Sequence, residues 1–242
     1  MTSIYHTLIS QPLYNGLIAL MHLLPFADVG VIVIVFTIIV KLILLPLSLK
    51  ASRAQIQMKA IEKDLSSIKE KYKDNKEEQS RQTIQYYKDN NINPLAGILI
   101  LIIQLPIVIG LYRIFLKSGL PQINTAMLYS FVHPPASVNM IFLHTANIAQ
   151  KSIILALIAG LTTYFQISQA NSSSKSSPST GIQGDMAKAM AMQMKYFFPV
   201  MVTFISYSIS GALALYWITS NVFAIVQEIY IKKKYHKAAL VV

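Results

Sequence analysis

Residues 31–49 read VIVIVFTIIVKLILLPLSL, a nearly unbroken apolar run with Lys41 at its middle. As a helix rising 1.5 Å per residue, such a run crosses the ~30 Å hydrocarbon core of a bilayer. A charged side chain near the centre of a spanning helix costs ~2.5–3.5 kcal/mol on insertion scales, so it is rarely left facing lipid. Lys41 is therefore expected to face water or polar groups within the membrane. The other segments are read for what they contribute to that interior.

The chain has 242 residues, 54% of them hydrophobic, with a mean hydropathy of +0.49. Broken into several apolar stretches, this composition indicates a polytopic α-helical membrane protein rather than a soluble core. The net charge of +11 does not imply nucleic acid. The basic residues lie between apolar segments, where topology signals and anionic headgroups account for them, and no nucleic-acid duplex binding is expected. With no cysteine, disulfides, thiolate metal ligands and a thiol nucleophile are all excluded. The first 40 residues hold no Lys or Arg, so the basic region of a cleavable signal peptide is missing and the N-terminus is expected to be retained.

Hydropathy, charge and turn residues divide the chain as follows. Residues 1–28 form an external segment in which Leu13, Leu17, Leu20, Met21 and Leu24 recur at helical spacing, as in an amphipathic helix lying in the interface. The first span is 29–49. Residues 50–93, with 10 basic and 7 acidic side chains, form a soluble helical hairpin whose seam holds Ile61, Leu65, Ile68 and Tyr72, with a turn at 73–76. A second span, 94–116, precedes an external segment, 117–150, and a third span, 151–168. The apolar core of that third span, 153–167, is only ~22 Å long as a helix. A Ser- and Met-rich loop occupies 169–195. The apolar stretch 196–231 would be ~54 Å long as one helix and must be two spans, 196–210 and 211–231, joined by a tight hairpin at the polar sequence SYSISG, 206–211. A short basic tail, 232–242, follows.

Lys and Arg set the orientation. Residues 50–94 hold 10, 169–195 hold 3 and 231–242 hold 4, whereas 117–151 hold 2 and 1–28 none. The positive-inside rule places the hairpin, the Ser/Met-rich loop and the tail in the cytoplasm and the N-terminus outside.

Six ordered blocks then carry a resemblance: TIIVKLILLPL at 37–47, NPL at 93–95, IQLPI at 103–107 with LYR at 111–113, LALIAGLTTYFQ at 155–166, MKYFFPVM at 194–201 and ALYW at 214–217. Around a charged hairpin, this order resembles the YidC membrane-protein insertases of the YidC/Oxa/Alb superfamily, over residues 12 to 234. The resemblance implies an all-α fold of five transmembrane helices around a hydrophilic groove, open to the cytoplasm and closed outside. It implies that the hydrophilic part of a nascent membrane protein enters the groove while the hydrophobic segment slides into lipid, without nucleotide hydrolysis. The implied setting is the plasma (inner) membrane of a prokaryote. The implied partners are nascent clients and the bilayer, with the ribosome and the Sec translocon as further candidates. The similarity is to the short form, without the large external domain or long basic ribosome-binding tail of some relatives. Two features depart from the family pattern. The groove's charge, an arginine in most members, is Lys41, and the family's Pro and Gly before the last span are Ser210 and Ala212, with Gly211 between them.

The candidate groove residues are Lys41, Thr37, Gln104, Gln166, Trp217, Tyr216, Ser220 and Asn221. Lys41 and Thr37 are four apart and share a helix face. The amides of Gln104 and Gln166 each interrupt an apolar span and require partners away from lipid, whether in a groove or as interhelical glue; the resemblance favours the groove for Gln166. Tyr216 and Trp217 suit an interfacial belt or a groove wall, and the resemblance favours the groove for Trp217. Ser220 and Asn221 make part of that helix polar. Met186, Met190 and Met194 form an i, i+4, i+8 stripe, which suits either contact with varied clients or helix packing.

The five histidines show no metal-ligand spacing, and no nucleophile elbow, Walker lysine or dinucleotide loop is present. No enzymatic activity, metal or cofactor is expected. The alternative class is a small channel or transporter with Lys41 as an anion site; a purely structural scaffold is a third. The odd number of spans and the lack of an inverted repeat weigh against a transporter.

Overall fold

A computed structural model describes residues 5–93, 96–116, 120–171 and 192–238. Among these, the helices are α1 Gln11–Leu23, α2 Val29–Ala60, α3 Glu62–Lys71, α4 Lys76–Asp89, α5 Ala96–Leu116, α6 Ile153–Asn171, α7 Phe198–Ile209 and α8 Gly211–Ala238. Short π-helical turns, His6–Ser10 and Gln193–Phe197, lead into α1 and α7. The protein is mostly helical. Two stretches, Val29–Met58 and Gly211–Lys233, are long and apolar enough to cross a bilayer, with mean hydropathies of 2.8 and 1.3. Only 33% and 39% of their apolar windows are buried in protein, so most of that surface faces outward. Gln104–Phe115 and Ile153–Gln169 are shorter apolar helices.

The apolar core lies at one end of the bundle, where α2 and α8 begin and α5 finishes. Val29, Ile32, Val33 and Phe36 of α2 meet Leu111, Ile114 and Phe115 of α5 and Leu213 and Leu215 of α8. Tyr14, Leu17, Ile18 and Met21 of α1 complete this core. Gly16 lets α1 approach α2, since a side chain there would meet the Phe36 ring.

Residues 120–150 seal the same end by hydrogen bonding to helix starts that would otherwise leave donors unpaired. Gly211 N and Ala212 N donate to Gln150 O and Ile148 O, and Val29 N donates to Asn139 O. Asp28 caps α2 by accepting from Val31 N, and its other oxygen accepts from Leu143 N. This segment also holds a two-stranded antiparallel hairpin, β1 Ile141–Phe142 and β2 Ala146–Asn147, with Ile141 opposite Asn147.

Other differences from the sequence reading have physical causes. α2 does not end near Leu49 but continues to Ala60, because KASRAQIQMKA lacks glycine and proline and a change in hydropathy is not a helix stop. Likewise α8 continues past 231 to Ala238. The chain breaks between α7 and α8 at one extended residue, Ser210. α1 is not a helix resting on the surface: Asn15, on the side opposite its leucines, is only 3% exposed. The Asn15 amide donates to Met127 O and accepts from Tyr129 N, while Tyr14 OH accepts from Asn124 N, so residues 124–129 cover α1.

Beyond the core, α3 and α4 pair through Ile61 and Leu65, packed with Ile92, Tyr86 and Tyr87. Asn75 caps α4 by accepting from Glu78 N, and Tyr86 OH donates to Asp64 across the hairpin.

Candidate functional site

Immediately past the apolar core, the α2–α5–α8 interface turns polar. Lys41 Nζ donates to Gln104 Oε1 at 3.2 Å, and Gln104 Nε2 donates to Tyr216 OH at 2.6 Å. Tyr216 is 2% exposed, and the buried Ser220 hydroxyl lies beside it one turn along α8. Three helices thus contribute a continuous polar chain. Among the described residues, no carboxylate pairs with Lys41, and Gln104, a neutral group, is its acceptor.

Helical register explains why these side chains converge. At 100° per residue, positions 37, 41, 48 and 52 fall within about 60° on α2, and 216, 220 and 227 within about 40° on α8. Two turns along from Lys41, Ser48 Oγ donates to Gln227 Oε1 at 2.7 Å and Gln227 Nε2 donates to Ser52 Oγ at 3.5 Å. This second polar pairing of α2 with α8 is not among the expected site residues, although its spacing repeats that of Thr37 and Lys41.

The remaining candidates occupy other places. Thr37 is buried, but its hydroxyl donates to Val33 O of its own helix at 2.6 Å. Asn221 turns toward α6, donating to Thr163 Oγ1 at 2.7 Å and Thr162 Oγ1 at 3.2 Å. Trp217 is half-buried and packs on the clusters around Leu213 and Val202. Gln166 is half-buried on α6, one turn beyond Thr162. Met194 is exposed in the turn entering α7, while Met186 and Met190 lie outside the described residues. Thr162 and Thr163, which the sequence reading did not single out, hold Asn221 in place.

The helices do not enclose this site on every side. α8 packs along α2 and α6, and α6 packs along α7, in part because Gly160 brings it close to Thr203 and Pro199. Among the described residues, α5 makes no comparable contact with α6 or α7. No packed interface between α5 and the α6–α7 pair occurs among the described residues. The α7 surface presents Val200, Phe204 and Tyr207, all exposed, and Phe197 is exposed in the turn leading into it.

No group of three or more candidate metal ligands occurs among the described residues. His22 and His133 do approach each other, with ring centroids 5.9 Å apart, a contact their sequence spacing does not reveal.

Long apolar helices sealed at one end, with a lysine bonded to a neutral amide at their interface, are those of a helical membrane protein. The chain belongs to the 60Kd inner membrane protein family, the YidC/Oxa1 family, whose sequence profile matches residues 21–238. It is 30% identical over 205 residues to the membrane protein insertase YidC of Fusobacterium nucleatum, covering 85% of this chain and 86% of that one. It is 32% identical over 211 residues to the membrane protein insertase YidC of Clostridium tetani, covering 86% and 84%. Against the protein of that name from Francisella philomiragia, identity is 29% over 206 residues, covering 85% of this chain and 33% of the longer relative.

Proposed function

We propose that this protein is a membrane protein insertase acting through a hydrophilic groove centred on Lys41. The observation that carries the reading is the half-buried lysine at the junction of α2, α5 and α8, with a neutral amide as its acceptor, in a chain whose relatives are named insertases. In this reading α2, α5, α6, α7 and α8 are the five spans. The sealed end faces outward, and the hairpin and the start of α7 face the cytoplasm, as the distribution of Lys and Arg requires. The unpacked side between α5 and α6–α7 is where the groove meets lipid.

Function then follows from solvation. A polar residue crossing hydrocarbon meets a barrier of up to ~2.5–3.5 kcal/mol, and each one received among Lys41, Gln104, Tyr216 and Ser220 avoids part of it. The client's apolar segment moves into lipid along the exposed face of α7, and its burial there drives release. The sequence of steps needs no nucleotide. The exposed hairpin offers a surface for ribosome or Sec translocon. Depletion of the resident insertase from a host, with complementation by this chain, tests the reading: restored insertion of a short-tailed client supports it, and failure of an expressed, membrane-located chain contradicts it.

A further inference from the structure

We propose that the cleft between the N-terminal segment, α2 and α5 binds one anionic phospholipid of the leaflet at the sealed end, with its phosphate on Arg113 and an acyl chain beneath it.

A cavity of about 420 Å³ lies there, between Leu8 and Leu13 of the N-terminal segment, Ile43 and Leu44 of α2, and Pro106 and Ile107 of α5. All the residues that line it are apolar. Leu8 and Ile43 are each 70% exposed, so the cleft opens on the outward surface of the bundle. At 100° per residue, positions 40, 43 and 44 centre about 100° away from Lys41 around α2. The cleft is therefore separate from the polar chain at the α2–α5–α8 junction.

One tyrosine joins this cavity to a cation. Tyr5 OH donates to Pro106 O at 3.0 Å, and the Arg113 guanidinium lies 4.9 Å from the centre of the same ring. The N-terminal segment can seat this closely on α5 because of Gly110, where a side chain would run into Leu13. The ring offers no lone pair to the five guanidinium donors, whose fork matches the oxygens of a phosphate. Among the described residues, no carboxylate pairs with Arg113.

Depth and charge identify the occupant. By helical rise, Arg113 lies ~4.5 Å and Pro106 ~15 Å from the last residue of α5, and the hydrocarbon of one leaflet is ~15 Å thick. An acyl chain hanging from a phosphate at Arg113 thus runs into the cavity. A basic side chain at this depth favours an anionic partner. A zwitterionic headgroup carries its own cation, which competes for the phosphate; an anionic headgroup does not.

The test places the full chain in liposomes with a trace of phosphatidylglycerol bearing a photoreactive group at the end of one acyl chain. Illumination should label the peptides holding residues 8–13 and 106–107 above the level on the exposed face of α7, as read by mass spectrometry. The same reactive chain on phosphatidylcholine should label them about tenfold less, the ratio for one hydrogen bond to a charged group. Arg113→Gln should lower the phosphatidylglycerol labelling by about the same factor, and Arg113→Lys should keep most of it. Ile43→Trp, a change at an exposed position that fills the cavity and leaves Arg113 in place, should also suppress it. Equal labelling by the two lipids, labelling no higher than on α7, or undiminished labelling in either Arg113→Gln or Ile43→Trp overturns the proposal. Labelling that disappears when a single-span client is added would make the client's apolar segment the occupant, which overturns it as well. The readout is lipid binding, so each of these outcomes leaves the insertase reading standing.

Discussion

Asp28 and Leu143 are 115 positions apart, and the Asp28 carboxylate accepts from Leu143 N at 3.1 Å while it also caps α2 through Val31 N at 3.0 Å. One side chain therefore caps the start of α2 and ties the β1–β2 hairpin to it. Asp28→Ala should lower stability by about 1–2 kcal/mol, the size of a lost cap. Asp28→Asn, which keeps one oxygen acceptor, should cost less. Thermal denaturation in detergent, comparing the three chains, checks the order.

At Gly160 α6 lies close against α7, and an added Cβ there would meet Thr203 Oγ1 and Pro199 O. Close approach at small residues is how helices associate where lipid removes the hydrophobic drive. Gly160→Ala should destabilise by roughly 1–3 kcal/mol through overpacking. Thr203→Ala in the same chain should recover part of the loss, because it removes one of the two obstructing groups. Melting temperatures of the single and double variants decide this.

Asn221 spans α8 to α6 with a single amide group reaching Thr163, Thr162 and Ala159 O. Interhelical hydrogen bonds of this kind average ~0.6 kcal/mol, with a maximum near 1.7. Asn221→Ala and Thr163→Val should each destabilise the bundle by about that much, and the double variant should lose less than their sum. Additive losses in a double-mutant cycle would show that the two side chains do not interact.

Much of the site was legible because a polar residue inside an apolar run has few alternatives to an interior partner. Lys41 and Gln104 are found that way, whereas Tyr216 suits an interfacial belt as well as a groove wall. Their pairing was not legible, since Lys41 to Gln104 and Gln104 to Tyr216 bridge 63 and 112 positions. Ser48, Ser52 and Gln227 were within reach of the same reasoning, because 37, 41, 48 and 52 continue one helix face past the end of the hydropathy signal. The boundary at Leu49 concealed that continuity: hydropathy marks a change of surroundings, and the helix goes on to Ala60. The seal formed by residues 120–150 was not legible at all. It is made largely of backbone bonds, such as Gly211 N to Gln150 O, for which side-chain identity gives no signal. Asn15 lies opposite the leucines that mark α1 as amphipathic, yet its amide is consumed by the backbone of that same segment.

A channel with Lys41 as an anion site would require a water path through the sealed end. Helix starts there are bonded to residues 139–150, and Leu213, Leu215, Ile32 and Val33 fill the space between them. Liposomes containing the pure protein should therefore hold a gradient of a small anion as well as protein-free liposomes do. Measurable chloride or phosphate flux that disappears with Lys41→Ala would favour the channel.

The most direct measurement is client insertion into liposomes by wild-type protein, Lys41→Arg and Lys41→Gln, using a single-span client with an acidic flank. Lys41→Arg preserves the charge and should support insertion comparable to wild type. Lys41→Gln preserves hydrogen bonding but removes the charge, and should reduce insertion by roughly tenfold, the ratio expected for one charge-assisted bond. Insertion by Lys41→Gln equal to that of wild type would contradict the account, because the positive charge at the α2–α5–α8 junction would then have no part in receiving the client.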